Sequence, residues 1–511
     1  MNPPFSSIFK PFHRVATLEA ALAIAATASA AGVPDAADPG EPAPPPNVLL
    51  IIVEDMGLAT GAYGDDTVPT PHLDALARRG VRYTRAYTTS PTCSPARAGI
   101  LTGTFPHADG QYGLSHLGYT MHDGVPTLPG ALKNGGYRIG RLGKLHVEGT
   151  SMQLPETPPL NRDQRHDPRY VAARAGEFFA AGDEPFFLEI AMSDAHRPFK
   201  NQIAGDPAGP VRARDVQPFA AWGGLSSPKI LEGVAGYYNA VQRIDMEVGL
   251  LMDGLRESGK LNNTIVIFTG DHGPAFARGK VSLYEFGTLV PLIVAGPGIT
   301  EGEAIDAMVK PVDLMPSLLA SAALPVPEGL HGIDLSRQWS GGEAEARGLM
   351  FTELTAHGAE AFLPMRAVRD ERYKLIVYSR PGEENPTLGI DGNAGGKLAK
   401  QMADDGETPA AFAPLFAMPA FEFYDLEVDP HELKNLADAV EGDADLKAAK
   451  DRLAAALVDW QRETNDPVVV PGWMQAVAAH HDAREHRARI DMKPYVGTWP
   501  VTAEQLKALA K

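Results

Sequence analysis

The chain of 511 residues has a single cysteine, Cys93. No intramolecular disulfide can form, so stability must come from a buried core, and a hydrophobic content of 44% over this length is enough for a sizeable one. Positive charge is also scarce: 46 Lys and Arg stand against 64 Asp and Glu, a formal charge of -18. That excludes holding nucleic acid or an anionic membrane by bulk attraction, and any anionic ligand would need local cations. Past the N-terminus no apolar run is long enough to span a bilayer, and no internal repeat is evident.

At the N-terminus, Lys10 and Arg14 precede an Ala-rich apolar stretch ending in Ala28-Ser29-Ala30, a small-x-small cleavage pattern. Residues 1–30 are read as a signal peptide, which places the protein in the periplasm or outside the cell. Glu19 inside the apolar stretch keeps an uncleaved anchor as the alternative. Residues 31–46 form a Pro-rich linker with too little apolar material to fold.

From Asn47 onward, short apolar runs alternate with helical patterns. "NVLLIIV" (47–53), "YRIGRL" (137–142), "FFLEIAM" (186–192), "TIVIFT" (264–269) and "PLIVAG" (291–296) have the composition of strands covered on both faces. "TPHLDALARRG", with Pro71 in its first turn and Gly80 as its stop, and "VAGYYNAVQRIDMEVGLLMDGLRESG" are the helix candidates between them. The alternation predicts an α/β fold, a mainly parallel sheet flanked by helices, over residues 47–365. Residues 366–511 are predicted to form a smaller α+β subdomain. Its antiparallel strands are "RAVRDERYKLIVY" and "FEFYDLEVD", its helix is "DLKAAKDRLAAALVDWQRE", and residues 380–418 form a long loop.

Ligands of an open parallel sheet bind beyond the carboxyl ends of its strands, so the residues after each apolar run matter most. Here they are Glu54-Asp55, Lys144-x-His146, Asp194-x-His196 and Asp271-His272. Three carboxylates in a partly dry site need a counter-charge, and a divalent cation supplies it. Ca²⁺ suits several directly bound protein carboxylates better than Mg²⁺. One acidic pair alone would read equally well as a helix cap; two acidic pairs with two basic clusters favour chemistry. Cys93 precedes Ser94-Pro95 at a predicted helix start, where free N–H groups attract anions, and Arg97 falls in the first turn. A lone Cys is otherwise a small buried hydrophobe, and the Cys-x5-Arg spacing of a phosphate-cradling thiol loop is missing.

Cys93-Ser94-Pro95-Ala96-Arg97 followed by "AGILTG" resembles the signature of the type I sulfatases of the alkaline phosphatase superfamily. The acidic pair, Gly-Lys-x-His, "DAHRP" and Asp-His-Gly with Lys280 fall in that family's order, and the likeness spans residues 47–465. Within the family, "TPHLDALARRG", "GQYGLSH", "FYDLEVDPHELKNLAD" and "WQRETNDP" are similar to the N-sulfoglucosamine sulfohydrolases. Glu54 stands where Asp is commoner, His272 where that subgroup tends to have Asn, and Lys280 where it has Arg.

The resemblance implies an alkaline-phosphatase-like fold and hydrolysis of sulfamate or sulfate esters on a sulfated carbohydrate. It implies that a formylglycine-generating enzyme converts Cys93 to Cα-formylglycine, whose hydrate is the nucleophile. Glu54, Asp55, Asp271 and His272 would hold Ca²⁺ together with residue 93. Lys144 and Lys280 would bind sulfuryl oxygens, His196 would protonate the leaving group, His146 would take a proton from the hydrate, and Arg97 would orient it. His107, Tyr112 and His116 in "HADGQYGLSH" either line the sugar pocket or form a polar surface loop. The alternatives are an O-sulfatase on another sulfated polysaccharide, a phosphodiesterase or phosphonate hydrolase of the same superfamily, and a calcium-dependent glycan-binding module without turnover.

Overall fold

The computed structural model describes residues 44–509 apart from 344–346, 358–361, 386–393, 408 and 483–490. The expected signal peptide and nearly all of the linker lie outside the described residues. The first sheet has seven strands: β1 (Asn47–Val53), β2 (Gly80–Tyr87), β3 (Arg138–Gly143), β4 (Phe186–Met192), β5 (Thr264–Gly270), β6 (Leu289–Ala295) and β7 (Glu303–Val309). Their order is β3-β4-β1-β5-β6-β2-β7. β3, β4, β1 and β5 run parallel, as do β2 and β7, while β6 runs against both its neighbours.

β1 is buried along its whole length, and its alternate residues serve two different cores. Leu49, Ile51 and Val53 pack with Val234, Val241 and Val248 of the helix Pro228–Glu257. Val48, Leu50 and Ile52 pack on the other side with Ile100 and Leu101 of the helix Cys93–Thr102. A strand buried on both faces needs apolar residues at every position, which is why this segment lacks polar alternation. The helix Pro71–Arg78 begins at Pro71 as expected, but Arg79 caps it and Gly80 opens β2. Glycine is required there by crowding, since a Cβ would lie 2.1 Å from the Val294 carbonyl oxygen of the paired strand.

A second, antiparallel sheet holds β8 (Met350–Ala356), β9 (Phe362–Arg369), β10 (Tyr373–Tyr378) and β11 (Phe421–Asp425) in the order β11-β10-β9-β8. The helix Ala444–Glu463 covers it, setting Leu453, Leu457 and Trp460 against Val368, Leu375 and Phe423. Asp443 caps that helix by accepting from the backbone N–H groups of Asp445 and Leu446 at 2.9 and 3.1 Å. The boundary drawn at residue 365 falls inside β9, and the sheet already begins at Met350. The segment 380–418, expected as loop, contains the helix Ala394–Asp404 and a short turn of helix at Ala413–Phe416. The described residues from Pro45 onward fall within one compact unit, and among the described residues no helix is long and apolar enough to cross a membrane.

Candidate active site

Because β3, β4, β1 and β5 lie side by side and point the same way, the polar residues that follow them gather at one edge of the sheet. Glu54 and Asp55 follow β1, Asp271 and His272 follow β5, Lys144 and His146 follow β3, and His196 follows β4. The helix Cys93–Thr102 starts at the same edge. Cys93 Sγ lies 3.5 Å from His272 Nε2, and Asp55 Oδ1 is 3.4 Å from that nitrogen. Asp271 Oδ1 accepts from the backbone N–H groups of Asp55 and His272, both at 2.9 Å, while Arg97 Nε donates to Asp271 Oδ2 at 3.1 Å. Lys280 Nζ is 3.1 Å from Asp55 Oδ1, Lys144 Nζ pairs with Glu54 Oε1, and His196 Nε2 is 3.8 Å from the same Glu54 oxygen. Asp55 and His146 hold left-handed backbone angles, φ 58° and 56°, a strained conformation for such residues that collects at functional sites.

Burial raises the Asp55 carboxyl despite Lys280, His196 and His272. Burial also acts to raise Glu54, but Lys144, His196, Arg97 and Lys280 outweigh it and hold that group well below the usual carboxylate range. The Cys93 thiol is pushed well up by burial, so an unmodified Cys93 is not the thiolate that sulfur nucleophiles require. Burial, then Lys144, lowers His146 to about 2, which keeps its imidazole neutral.

The donor set fits a hard cation. His272 Nδ1 lies 2.9 Å from the Gly273 carbonyl and donates to it, which turns Nε2 toward Asp55, Asp271 and Cys93. Asp55 Oδ1 is buried and accepts no hydrogen bond, although Lys280 is near. Buried carboxylates converging with an imidazole nitrogen, one of their oxygens accepting no hydrogen bond, make a donor set that a hard cation would satisfy. A cleft of 670 Å³ opens from Glu54, Lys144 and His196 and continues past Arg165, His166 and Lys200.

The sulfatase family model matches residues 46–323, and the model described as N-sulphoglucosamine sulphohydrolase, C-terminal, matches residues 270–388. The chain is 31% identical to the human (Homo sapiens) N-sulphoglucosamine sulphohydrolase over 467 residues, covering 83% of this chain and 91% of that protein. It belongs to the sulfatase family. An ulvan-active sulfatase of Formosa agariphila is 28% identical over 459 residues, 81% of this chain and 75% of the relative. Among solved structures, a 2-O GAG sulfatase superposes with a TM-score of 0.62 at 22% identity, over 83% of this chain and 93% of that one, which shows the alkaline-phosphatase-like sulfatase fold.

This sulfatase brings Cys93, Arg97, Lys144, His146, His196, Lys280, Glu54, Asp55, Asp271 and His272 to one place. Of the three pocket candidates, only His116 reaches it, with its Nδ1 2.7 Å from His146 Nε2. His107 is a correction: it is 1% exposed, its Nδ1 lies 2.5 Å from Glu353 Oε2 and its Nε2 3.2 Å from the Thr464 carbonyl, so it holds the fold together. Tyr112 is another, buried edge-on against Trp473 at 5.4 Å between ring centres. Sequence reasoning misses Arg243, whose Nε and Nη2 clamp both oxygens of Asp194 at 2.6 and 3.0 Å. The one signal was an arginine breaking the apolar face of a long helix. It also misses Arg165, at the end of the short helix Arg162–Arg165, and His166 and Lys200 outside regular structure, none of which carries a distinguishing pattern.

Proposed function

We propose that this sulfatase hydrolyses sulfamate or sulfate-ester groups on a sulfated carbohydrate, with N-sulfated glucosamine its best substrate. The observation that carries the reading is the convergence on Cys93, at a helix N-terminus, of the acidic set, His272 and two lysines. The likeness to the human N-sulphoglucosamine sulphohydrolase, which extends into the C-terminal family model, supports the sulfamate preference. The likeness to an ulvan-active sulfatase favours, as a second reading, an O-sulfatase on another polysaccharide. The N-terminal 30 residues support export to the periplasm or beyond.

Cys93 is converted to Cα-formylglycine by a formylglycine-generating enzyme, and the aldehyde hydrate supplies the nucleophilic oxygen. Glu54, Asp55, Asp271 and His272 would hold Ca²⁺, which supplies positive charge favouring an ionised nucleophile; Mg²⁺ suits this donor set less well. Lys144 and Lys280 bind the sulfuryl oxygens and offset the charge that grows on them. His196 donates Nδ1–H to the Arg197 carbonyl at 2.6 Å, which turns Nε2 toward the site. When protonated, Nε2 delivers its proton to the departing sugar nitrogen or oxygen. His146 Nε2 lies 2.7 Å from His116 Nδ1, and in the tautomer that donates Nε2–H its buried Nδ1, which accepts no hydrogen bond, takes the proton from the second hydroxyl of residue 93 as sulfate leaves. Arg97, tied to Asp271, orients residue 93.

The test is release of inorganic sulfate from N-sulfoglucosamine and from O-sulfated glucosamine, side by side, by material from a host that makes formylglycine. The reading expects kcat/KM for the N-sulfated sugar to be higher by about tenfold or more. Release from O-sulfated sugars alone moves the assignment to the second reading. Turnover of phosphate or phosphonate esters alone overturns both.

A further inference from the structure

Glu189 sits in the middle of β4, in register with Leu50 of β1 and Arg141 of β3, and is fully buried. It is the only charged residue in "FFLEIAM". In that register its side chain shares the face of Leu50, which packs on Ile100 and Leu101 of the Cys93 helix. Arg97 lies one turn earlier on the same helix, with Nη1 3.8 Å from Glu189 Oε1. Neither carboxylate oxygen of Glu189 accepts a hydrogen bond, and the buried Nη2 of Arg97 donates none. Burying a carboxylate without hydrogen bonds is costly, and an apolar residue would suit this strand better. A chain that keeps such a group beside its reactive centre is using it for something other than folding.

We propose that Glu189 is a positioning residue: its carboxylate draws the Arg97 guanidinium down toward the sheet, against the pull of Asp271, and so sets where Arg97 meets residue 93. The assignment of Arg97 to residue 93 rests on the proposed function above. The charged groups acting on Glu189 are Arg97, from the Cys93 helix, and Arg141, from β3. Burial outweighs both and pushes the carboxyl up to about 7. Glu189 therefore pulls on Arg97 only while ionised, and as pH falls below that value Arg97 is left to Asp271.

The test is Glu189→Gln, which keeps the shape and removes the charge. We expect kcat to fall about tenfold with KM within about twofold, since misplacement of an orienting group acts on the reacting geometry. The wild-type decline of kcat below pH 7 should flatten in the variant, and Glu189→Asp should recover part of the rate. Stability should move the other way. The native carboxyl at about 7 lies above its ordinary 4.5, so stability falls progressively from 4.5, where the unfolded carboxyl ionises, to 7, where the buried one does, and the loss is complete above that. Glu189→Gln should therefore melt at or above the wild-type temperature above pH 7. Wild-type kcat with an unchanged pH profile, or activity lost only in proportion to folded protein, overturns the proposal. A double-mutant cycle of Glu189→Gln with Arg97→Met, read by thermal unfolding above pH 7, needs no turnover. Coupling supports the Glu189–Arg97 contact and additivity refutes it. A wild-type enzyme that releases no sulfate would sink the proposed function, and the cycle would still decide the contact.

Discussion

Among the described residues, two fully buried clusters group a histidine with acidic side chains at spacings a metal could bridge: Asp55, Cys93 and His272 at the sheet edge, and His107, Glu353 and Asp466 beside the second sheet. They differ in how fully their polar atoms are used. Around His107, Arg366 donates to both oxygens of Asp466 at 2.7 and 2.8 Å, and Glu353 accepts from the His107 backbone and ring. No buried polar side-chain atom of His107, Glu353, Asp466 or Arg366 is left without a hydrogen bond. At the sheet edge, Asp55 Oδ1, Arg97 Nη2 and His146 Nδ1 are buried with no hydrogen bond. Residue types and spacing are alike in the two places, so saturation of hydrogen bonds is what separates a structural clamp from a site built for chemistry.

The contrast can be broken by substitution. Cys93→Ala should reduce sulfate release by about 10⁴-fold or more, as loss of a nucleophile does, with little change in melting temperature. Arg366→Met should do the opposite. Unpairing Asp466 and Glu353 is expected to destabilise the fold by about 3–5 kcal/mol in denaturant titrations, with kcat of the folded fraction within about twofold. A smaller effect separates the clusters by cation. Calcium at about a hundred times its Kd should stabilise the wild type by about 2–3 kcal/mol, and Asp271→Asn should abolish that gain while Asp466→Asn keeps it. The smallest is a pH effect. Burial acts to raise Asp466, but Arg366 and His107 outweigh it and lower the carboxyl to about 2. Its contribution, about 2 kcal/mol, is complete above pH ~4 and lost as pH falls toward 2. Melting curves across that range should show the loss in wild type and not in Asp466→Asn.

Much of the sheet-edge cluster was legible because Glu54, Asp55, Lys144, His146, His196, Asp271 and His272 follow apolar runs, whose carboxyl ends meet in a parallel sheet; Cys93 and Arg97 were read from a helix start, and Lys280 only from the family resemblance. Five of the seven strands of the main sheet stand out for the same reason. β2 does not, because "GVRYTRAY" alternates with polar residues directly after a helix. Neither does β7, whose "EAIDAMV" is a largely exposed edge strand. His107 and Tyr112 were misplaced because the same residue types serve a pocket or a buried network. What distinguishes them is a partner far along the chain, Glu353 and Thr464 for His107 and Trp473 for Tyr112, which no local pattern records. Glu189 announces itself as the one charge in an apolar strand, but its relation to Arg97 needs the register of β4 against the Cys93 helix.

The most direct test of the central claim, that the unsaturated cluster works on a modified Cys93, is to measure conversion and turnover on the same samples. Peptide mass spectrometry would give the fraction of residue 93 present as formylglycine in material from hosts that make it well, poorly or not at all. Sulfate release from N-sulfoglucosamine should rise in proportion to that fraction and vanish with it. Full release from protein whose residue 93 is entirely cysteine would contradict the account.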